Sequence, residues 1–285
     1  MIRRDFLAGA ACLAASRADA GAARIVALEW NIISILLSLG ITPVGVPEIR
    51  AYVEWVVEPA IPIATFDVGL RSEPNLEAIA GLKPDLILSS PLSRLVVPLL
   101  ERIAPVREVA IYTEEGAPLR LAARETRALG QLLGRGPAAE QEIAVTEDAF
   151  ERIAGLVGDG SGPNLLMSFL DSRHVRVFGP SSLFGAVLSR LGLANAWTRP
   201  VNVWGFTQVG IAELATHPDA RLLVIERAGF DPIRGLERAS LWSNLPAVRV
   251  GRWARLPAAW FYGELSAARR FASLLPDAMA GRGRP

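Results

Sequence analysis

Apolar residues recur on a helical period through the middle of the chain. Leu121, Ala122, Leu129, Leu132 and Leu133 share one face up to Gly134, where a glycine stop is expected. Pro137 suits a first helical position, and Ile143, Phe150, Ile153 and Val157 continue one face of a second helix. At about 1.5 Å per residue, Pro137 to Val157 spans about 30 Å. Flexible linkers are rich in Gly and Ser, whereas this segment carries good helix formers along a continuous apolar face, so it is expected to be a stiff strut between two lobes.

The pattern on either side of the strut repeats in order. Arg24 to Trp30 reads as a buried strand and Ile32 to Leu39 as a helix closed by Gly40. In the second half, Arg173 to Phe178 reads as the matching strand and Leu183 to Leu191 as the matching helix, closed by Gly192. Leu76 to Leu88 and Ile211 to Ile225 each give a helix, a Pro-Asp turn and an apolar strand. Leu99 to Pro105 and Leu241 to Pro246 form a third ordered pair. Alternating strands and helices with uniformly apolar strands predict an α/β fold, with two lobes whose parallel sheets are joined by a long rigid helix. The expected division is 1–20, 21–134 for the N-terminal lobe, 135–160 for the connecting helix and 161–285 for the C-terminal lobe. Ligands of open parallel sheets bind outside the carboxyl ends of the strands, so the loops after Leu28, Leu88, Phe178 and Ile225 are expected to line a shared cleft.

The first twenty residues change the picture of where the protein works. Arg3-Arg4-Asp5-Phe6-Leu7, a small apolar run and Ala18-Asp19-Ala20 have the form of a twin-arginine export signal. Removing Arg3, Arg4, Arg17, Asp5 and Asp19 from 30 basic and 29 acidic residues leaves 27 of each, so the mature chain is neutral and a polyanionic partner is not expected. The only cysteine, Cys12, lies inside the signal, which leaves the mature chain without thiol or disulfide chemistry. A lipoprotein reading of Cys12 meets Gly9 where a bulky aliphatic residue is expected. No later apolar run approaches the roughly 18 residues that span a bilayer. A periplasmic protein is expected.

Candidate chemistry concentrates in the loops. Trp55, Trp197, Trp204 and Trp260 fall in segments rich in Gly, Pro, Asn or small residues, a placement that suits a stacking role toward a sizeable apolar ligand. Trp30, Trp242 and Trp253 read as structural. In Asp67 to Leu76 a tight loop runs to a helix start that Ser72 or Asn75 would cap, and Arg71 projects just before it. A planar guanidinium at such a junction suits a clamp on paired oxygens.

Enzyme signatures are missing: no G-x-G-x-x-G, no phosphate-binding Walker loop, no H-E-x-x-H, and Gly179-Pro180-Ser181-Ser182-Leu183 fails the last place of G-x-S-x-G. His174 and His217 have no partners at metal-ligand spacing and read as structural. Glu29, Asp171 and Glu226 are strand-end carboxylates that suit acid-base work or capping, which keeps a periplasmic hydrolase as an alternative reading.

Taken together, R-I-V-A-L-E-W (24 to 30), D-V-G-L-R-S-E-P-N-L-E (67 to 77), F-G-P-S-S-L-F (178 to 184), A-N-A-W (194 to 197), N-V-W-G (202 to 205) and P-A-A-W-F-Y-G (257 to 263) resemble the periplasmic ferric hydroxamate-binding proteins of siderophore ABC importers. The resemblance implies the type III periplasmic binding protein architecture, ferric siderophore as ligand with no cofactor, no catalysis, a monomer, and delivery to a membrane permease driven by an ATPase. A binder of another iron chelate, haem or a corrinoid is the alternative within the same class. Carried over by position, the resemblance assigns Arg71 as donor to hydroxamate oxygens. It makes Trp55, Trp197, Trp204, Trp260 and Tyr262 aromatic walls of the pocket, with Asn202 beside them. Where related pockets carry a tryptophan and a ligand-bonding tyrosine, this chain has Ser89 and Ser93, so Ser93 or Arg94 is expected to substitute in part. After Trp204-Gly205 stands Phe206, where the resemblance leads to a small hydroxyl residue. Iron would stay wrapped in the hard oxygens of its chelator, so no protein iron ligands are expected.

Overall fold

A computed structural model describes residues 23–158, 162–226 and 240–281. The export signal therefore lies outside the described residues.

The N-terminal half alternates strand and helix: β1 (Ile25–Ala27), α1 (Trp30–Ser38), β2 (Gly45–Val46), α2 (Ile49–Trp55), β3 (Phe66–Asp67), α3 (Leu76–Gly81), β4 (Leu86–Ser89), α4 (Val97–Leu100) and β5 (Val106–Glu108). Its five strands run in the order β3-β2-β1-β4-β5, all parallel. Each crossover is short and each strand is capped by its own helix, so the loops at the carboxyl ends all open on one edge.

Two antiparallel helices follow. α5 (Pro118–Leu132) starts on its proline, and the chain turns at Gly134, whose φ of +67° is one that a residue with a Cβ rarely adopts. α6 (Gly136–Val157) has Pro137 in its first turn and runs for 22 residues, about 33 Å. Its buried face is Ala139, Thr146, Ala149, Phe150, Ile153 and Val157.

The second sheet comprises β6 (Asn164–Phe169), β7 (His174–Phe178), β8 (Phe206–Gly210), β9 (Arg221–Ile225) and β10 (Trp253–Leu256), in the order β10-β9-β6-β7-β8. Helix α7 (Leu183–Arg190) follows β7, and the long C-terminal helix α8 (Leu265–Met279) ends the fold. This sheet departs from expectation in two ways. It is mixed: β6–β9 and β9–β10 are parallel, while β6–β7 and β7–β8 are antiparallel. The strand that occupies the place of β1 is β6, not Arg173–Phe178. The cause is a hairpin at Asp171, whose Oδ1 accepts from the backbone N–H groups of Arg173 at 2.6 Å and His174 at 2.8 Å. A turn that satisfies itself in this way reverses the chain where a helical crossover was expected.

The largest apolar cluster does not respect the division into lobes. It joins Ile25, Trp30, Leu36 and Leu88 of the first half to Leu129 of α5, to Phe150 of the strut and to Phe178, Leu256 and Phe271 of the second half. Phe184 of α7 stacks on Phe271 of α8 with centroids 4.0 Å apart. The strut is thus one wall of a core common to both sheets. No described helix is long and apolar enough to cross a membrane.

Candidate functional site

The carboxyl ends of the parallel strands deliver one residue set after another to the same place. Glu29 and Asn31 follow β1, Glu48 follows β2, Arg71 and Ser72 follow β3, Ser90, Pro91, Leu92 and Arg94 follow β4, and Val109 to Glu114 follow β5. The second half answers with Val203, Trp204 and Phe206 entering β8, and Trp260 and Tyr262 leaving β10. Between them lie two adjoining cavities of about 380 and 340 Å³, sharing Glu29, Asn31, Leu92 and Trp204. Of the four loops expected at the cleft, those after Leu28 and Leu88 line it. The loop after Phe178 contributes no lining residue, and most of the loop after Ile225 falls outside the described residues.

Arg71 is held on three sides. Its Nε donates to Glu48 Oε2 at 2.8 Å, its backbone N–H to Glu48 Oε1 at 3.3 Å, and one terminal nitrogen to Glu29 Oε1 at 3.0 Å. The guanidinium carbon lies 3.8 Å from the centroid of the Trp30 ring and 5.7 Å from that of Trp260. The supports are themselves fixed. Asp67 accepts from Ile49 N and Gly69 N, each at 2.9 Å, tying the arginine loop to α2. Asn75 caps α3 through Ala78 N at 2.9 Å, one of the two caps read from sequence. Glu48 adopts left-handed backbone angles, φ 54° and ψ 48°, a conformation that costs a non-glycine residue about 1 kcal/mol or more. The carboxylate is placed on Arg71 at that cost.

Glu29 caps α1 through Trp30 N at 2.9 Å and is 6% exposed. Burial, the largest influence, raises its pKa above the ordinary carboxyl value, against the opposing pull of Arg71. Its Oε1 already accepts two bonds, while Oε2 has no partner, and neither does Oδ1 of neighbouring Asn31, whose Nδ2 donates to Tyr262 O at 3.3 Å.

The opposite wall is aromatic. Trp204 stacks on Tyr112 with centroids 5.3 Å apart and meets Tyr262 edge-on at 5.3 Å. Tyr262 meets Trp260 at 5.3 Å and Phe206 at 5.8 Å. Behind them Arg176 lies 4.7 Å from the Phe206 centroid and 5.8 Å from that of Tyr262, and burial raises the Tyr262 pKa with Arg176 opposing. The Tyr112 hydroxyl donates to Gly263 O at 2.9 Å, which fixes the Trp260 loop from beneath.

The residues singled out from sequence divide. Arg71, Trp204, Trp260 and Tyr262 come together at the cavity. Trp55 stands behind it, edge-on to Trp260 at 5.6 Å and to Phe261 at 5.7 Å. Asn202 points its Oδ1 at Trp204 N and Phe206 N, at 3.0 and 3.2 Å, so it shapes the turn that presents Trp204. Ser89 and Ser93 are buried and line neither cavity; Ser93 sits in a single 3-10 turn over Pro91–Ser93. Arg94 reaches the second cavity with its guanidinium paired to Glu108 at 2.8 and 2.9 Å. Trp197 is elsewhere: 2% exposed in the separate cluster on the outer side of the second sheet, stacked on His217 at 5.5 Å and under Arg199 at 4.2 Å. The sequence reading passed over Glu48, Tyr112 and the double role of Trp30, which is both core and platform for Arg71. Leu92 and Phe206 complete the lining. Among the described residues no group of three or more His, Cys, Asp and Glu could hold a metal ion.

Two α/β lobes on a rigid helix, closing over a shallow cleft with a polar floor and an aromatic wall, define a solute-binding protein of the helix-linked class. The chain belongs to the periplasmic binding protein family, whose model matches residues 25–259. It is 39% identical over 260 residues to the iron(3+)-hydroxamate-binding protein FhuD of Escherichia coli K12, covering 91% of this chain and 88% of that one. It is 25% identical over 236 residues to the Fe(3+)-citrate-binding protein YfmC of Bacillus subtilis, covering 80% and 71%. The crystal structure of the Fe3+–Desferal-bound siderophore-binding protein FhuD from Vibrio cholerae matches with a TM-score of 0.87 at 30% identity, over 92% of this chain and 100% of that one.

Proposed function

We propose that the protein captures a ferric hydroxamate siderophore in the periplasm and delivers it to the permease of an ABC importer for iron uptake. The observation that carries this reading is the Arg71 guanidinium facing an aromatic wall while two carboxyl groups, Glu29 and Glu48, offset its charge. Such a floor offers directed donors without net positive charge. It suits the exposed oxygens of a neutral trihydroxamate and disfavours a strongly anionic catecholate or citrate complex, which needs several uncompensated cations. The aromatic rings cover the chelator's hydrocarbon. The similarity to the two hydroxamate-associated relatives supports the same ligand class. Binding is stoichiometric and leaves the ligand unchanged. The twin-arginine motif supports export in folded form, and the protein acts as a monomer.

Intrinsic tryptophan fluorescence of the mature protein titrated with ferrichrome, ferrioxamine, ferric citrate, a ferric catecholate, haem and a corrinoid tests the reading. Saturable quenching by hydroxamates at the lowest concentrations is expected. Absence of quenching by every hydroxamate, with tight binding of another of these ligands, would overturn it.

A further inference from the structure

Arg71 lines the first cavity but not the second, which holds about 340 Å³ and opens from the first past Leu92 and Trp204. The walls of this second space are hydrocarbon. On one side stand Pro91 and Leu92 of the turn after β4 and Ala110 after β5; on the other stand Val203 and Trp204, entering β8. None of these five is fully buried, and Leu92 is half exposed, so an occupant can touch both sides. Charge is arranged unlike that of the Arg71 floor. Arg94 directs Nε and a terminal nitrogen to the Glu108 carboxylate at 2.9 and 2.8 Å, and Glu29 is engaged by Arg71 at 3.0 Å. Glu114 lines the same cavity, is exposed, and has no cation paired with it among the described residues. The oxygens of an iron chelate gain nothing from such a space, because its free charge has their sign. A hydrocarbon chain gains from the walls, and a cation at the end of that chain gains from Glu114.

Resting on the proposed hydroxamate ligand, we infer that the second cavity is a subsite for a flexible arm of that ligand, a hydrocarbon chain lying between Leu92 and Val203 and ending in an ammonium group paired with Glu114. The ligand class is thereby narrowed to linear hydroxamate chelates with a free amine end, and away from closed rings that have no end to insert. Recognition divides between loops. Arg71 on the β3–α3 loop meets the chelate oxygens, whereas the loops after β4 and β5 and the turn before β8 read what hangs from the chelate. An exposed pair between Glu114 and an ammonium is worth up to about fivefold in affinity, and each methylene covered by the walls adds to it.

Fluorescence titration with three ferric chelates tests the subsite: a linear ferrioxamine with a free amine, the same chelate N-acetylated, and a cyclic ferrioxamine without a chain end. Each is titrated into the parent, Glu114→Gln, Ala110→Phe and Val203→Phe. The parent should hold the amine form roughly tenfold tighter than the ring and roughly three- to fivefold tighter than the acetylated form. Glu114→Gln should abolish the preference for the amine over the acetylated form while the linear chain stays ahead of the ring. The two phenylalanine variants fill the cavity from opposite walls, so each should narrow the gap between linear and cyclic chelates to within about twofold. Circular dichroism identifies a variant that has not folded, and the other then carries the comparison. A parent that binds all three chelates alike, an amine preference that survives in Glu114→Gln, or a linear-over-cyclic gap unchanged in the filled variants would overturn the subsite and leave the hydroxamate reading intact, as would binding of ferrichrome alone. Absence of binding to the parent by these three and by ferrichrome would overturn both.

Discussion

The Arg71 guanidinium carbon lies over the Trp30 ring, 3.8 Å from the indole centroid, with the ring buried and the side chain of Arg71 one-quarter exposed. A planar cation laid on a fixed ring keeps its remaining N–H groups aimed along one plane, into the cleft. A lysine at the same place would keep the charge and lose the plane. Arg71→Lys should therefore weaken ferric hydroxamate binding by about 1 to 3 kcal/mol, nearly as much as Arg71→Ala, and fluorescence titration of the two variants side by side checks it. Near-parent affinity for the lysine variant would show that charge alone suffices.

Glu48 separates stability from binding. Glu48→Gly relieves a left-handed backbone but releases two hydrogen bonds to Arg71, so the melting temperature should move little while affinity falls about tenfold. Calorimetry and titration of one variant preparation suffice, and unchanged affinity would contradict the clamp.

Gly205 holds the Trp204 turn at a place no other residue fits. Its φ is +78°, and a Cβ there would come within 2.3 Å of Ser182 Cα and 2.4 Å of Ser182 N. Because the obstacle is backbone, Gly205→Ala should cost several kcal/mol of stability, of the order seen for severe core defects, and should dull the Trp204 response to ligand. Urea unfolding monitored by circular dichroism reads the first effect directly.

Two tryptophans give opposite readouts. Trp204→Ala should weaken binding by about 1 to 2 kcal/mol through loss of the stacked wall. Trp197→Ala should cost about 3 kcal/mol or more of stability, because its ring is enclosed in the outer core, and leave affinity within a factor of about two. An affinity loss for Trp197 equal to that for Trp204 would place it at the ligand after all.

The pH dependence of stability has a definite source in Glu264. This side chain caps α8 through Ser266 N at 2.9 Å and is fully buried, and burial pushes its pKa up to about 7 from 4.5. Folding favours the protonated form, so its contribution is complete below about pH 4.5 and is lost as pH rises through about 7, about 3 kcal/mol at most. The parent melting temperature should fall from about pH 5 to about pH 8. Glu264→Gln should give a shallower curve, with the residual slope left to Glu29, which is shifted in the same direction. A variant curve as steep as the parent's would remove Glu264 as the source.

Much of the fold was legible in the chain because local rules and tertiary demand agree there. Pro137 starts α6 and Gly134 ends the turn before it, and each does so for a backbone reason that needs no partner. β6 was missed since Asn164 to Phe169 is a short apolar run that looks alike in strand or helix, and a hairpin at Asp171 leaves less trace than a crossover helix. The site divided along similar lines. Arg71 announced itself through its loop, whereas Glu48 binds from 23 residues away and only the packing of β2 against β3 unites them. Trp197 and Trp204 sit in equally polar sequence, and nothing local distinguishes a ring beneath the second sheet from one above it.

The continuous apolar core has a consequence for traffic at the membrane. A body whose strut is packed into both halves is expected to change its outline little on loading, so that a membrane partner would meet empty and full copies of nearly the same shape. Under the proposed delivery role, empty copies compete for the same dock, and uptake depends on the ratio of full to empty protein rather than on the amount of full protein alone. Overproduction of the binding protein at fixed siderophore supply should then slow import once docks are saturated.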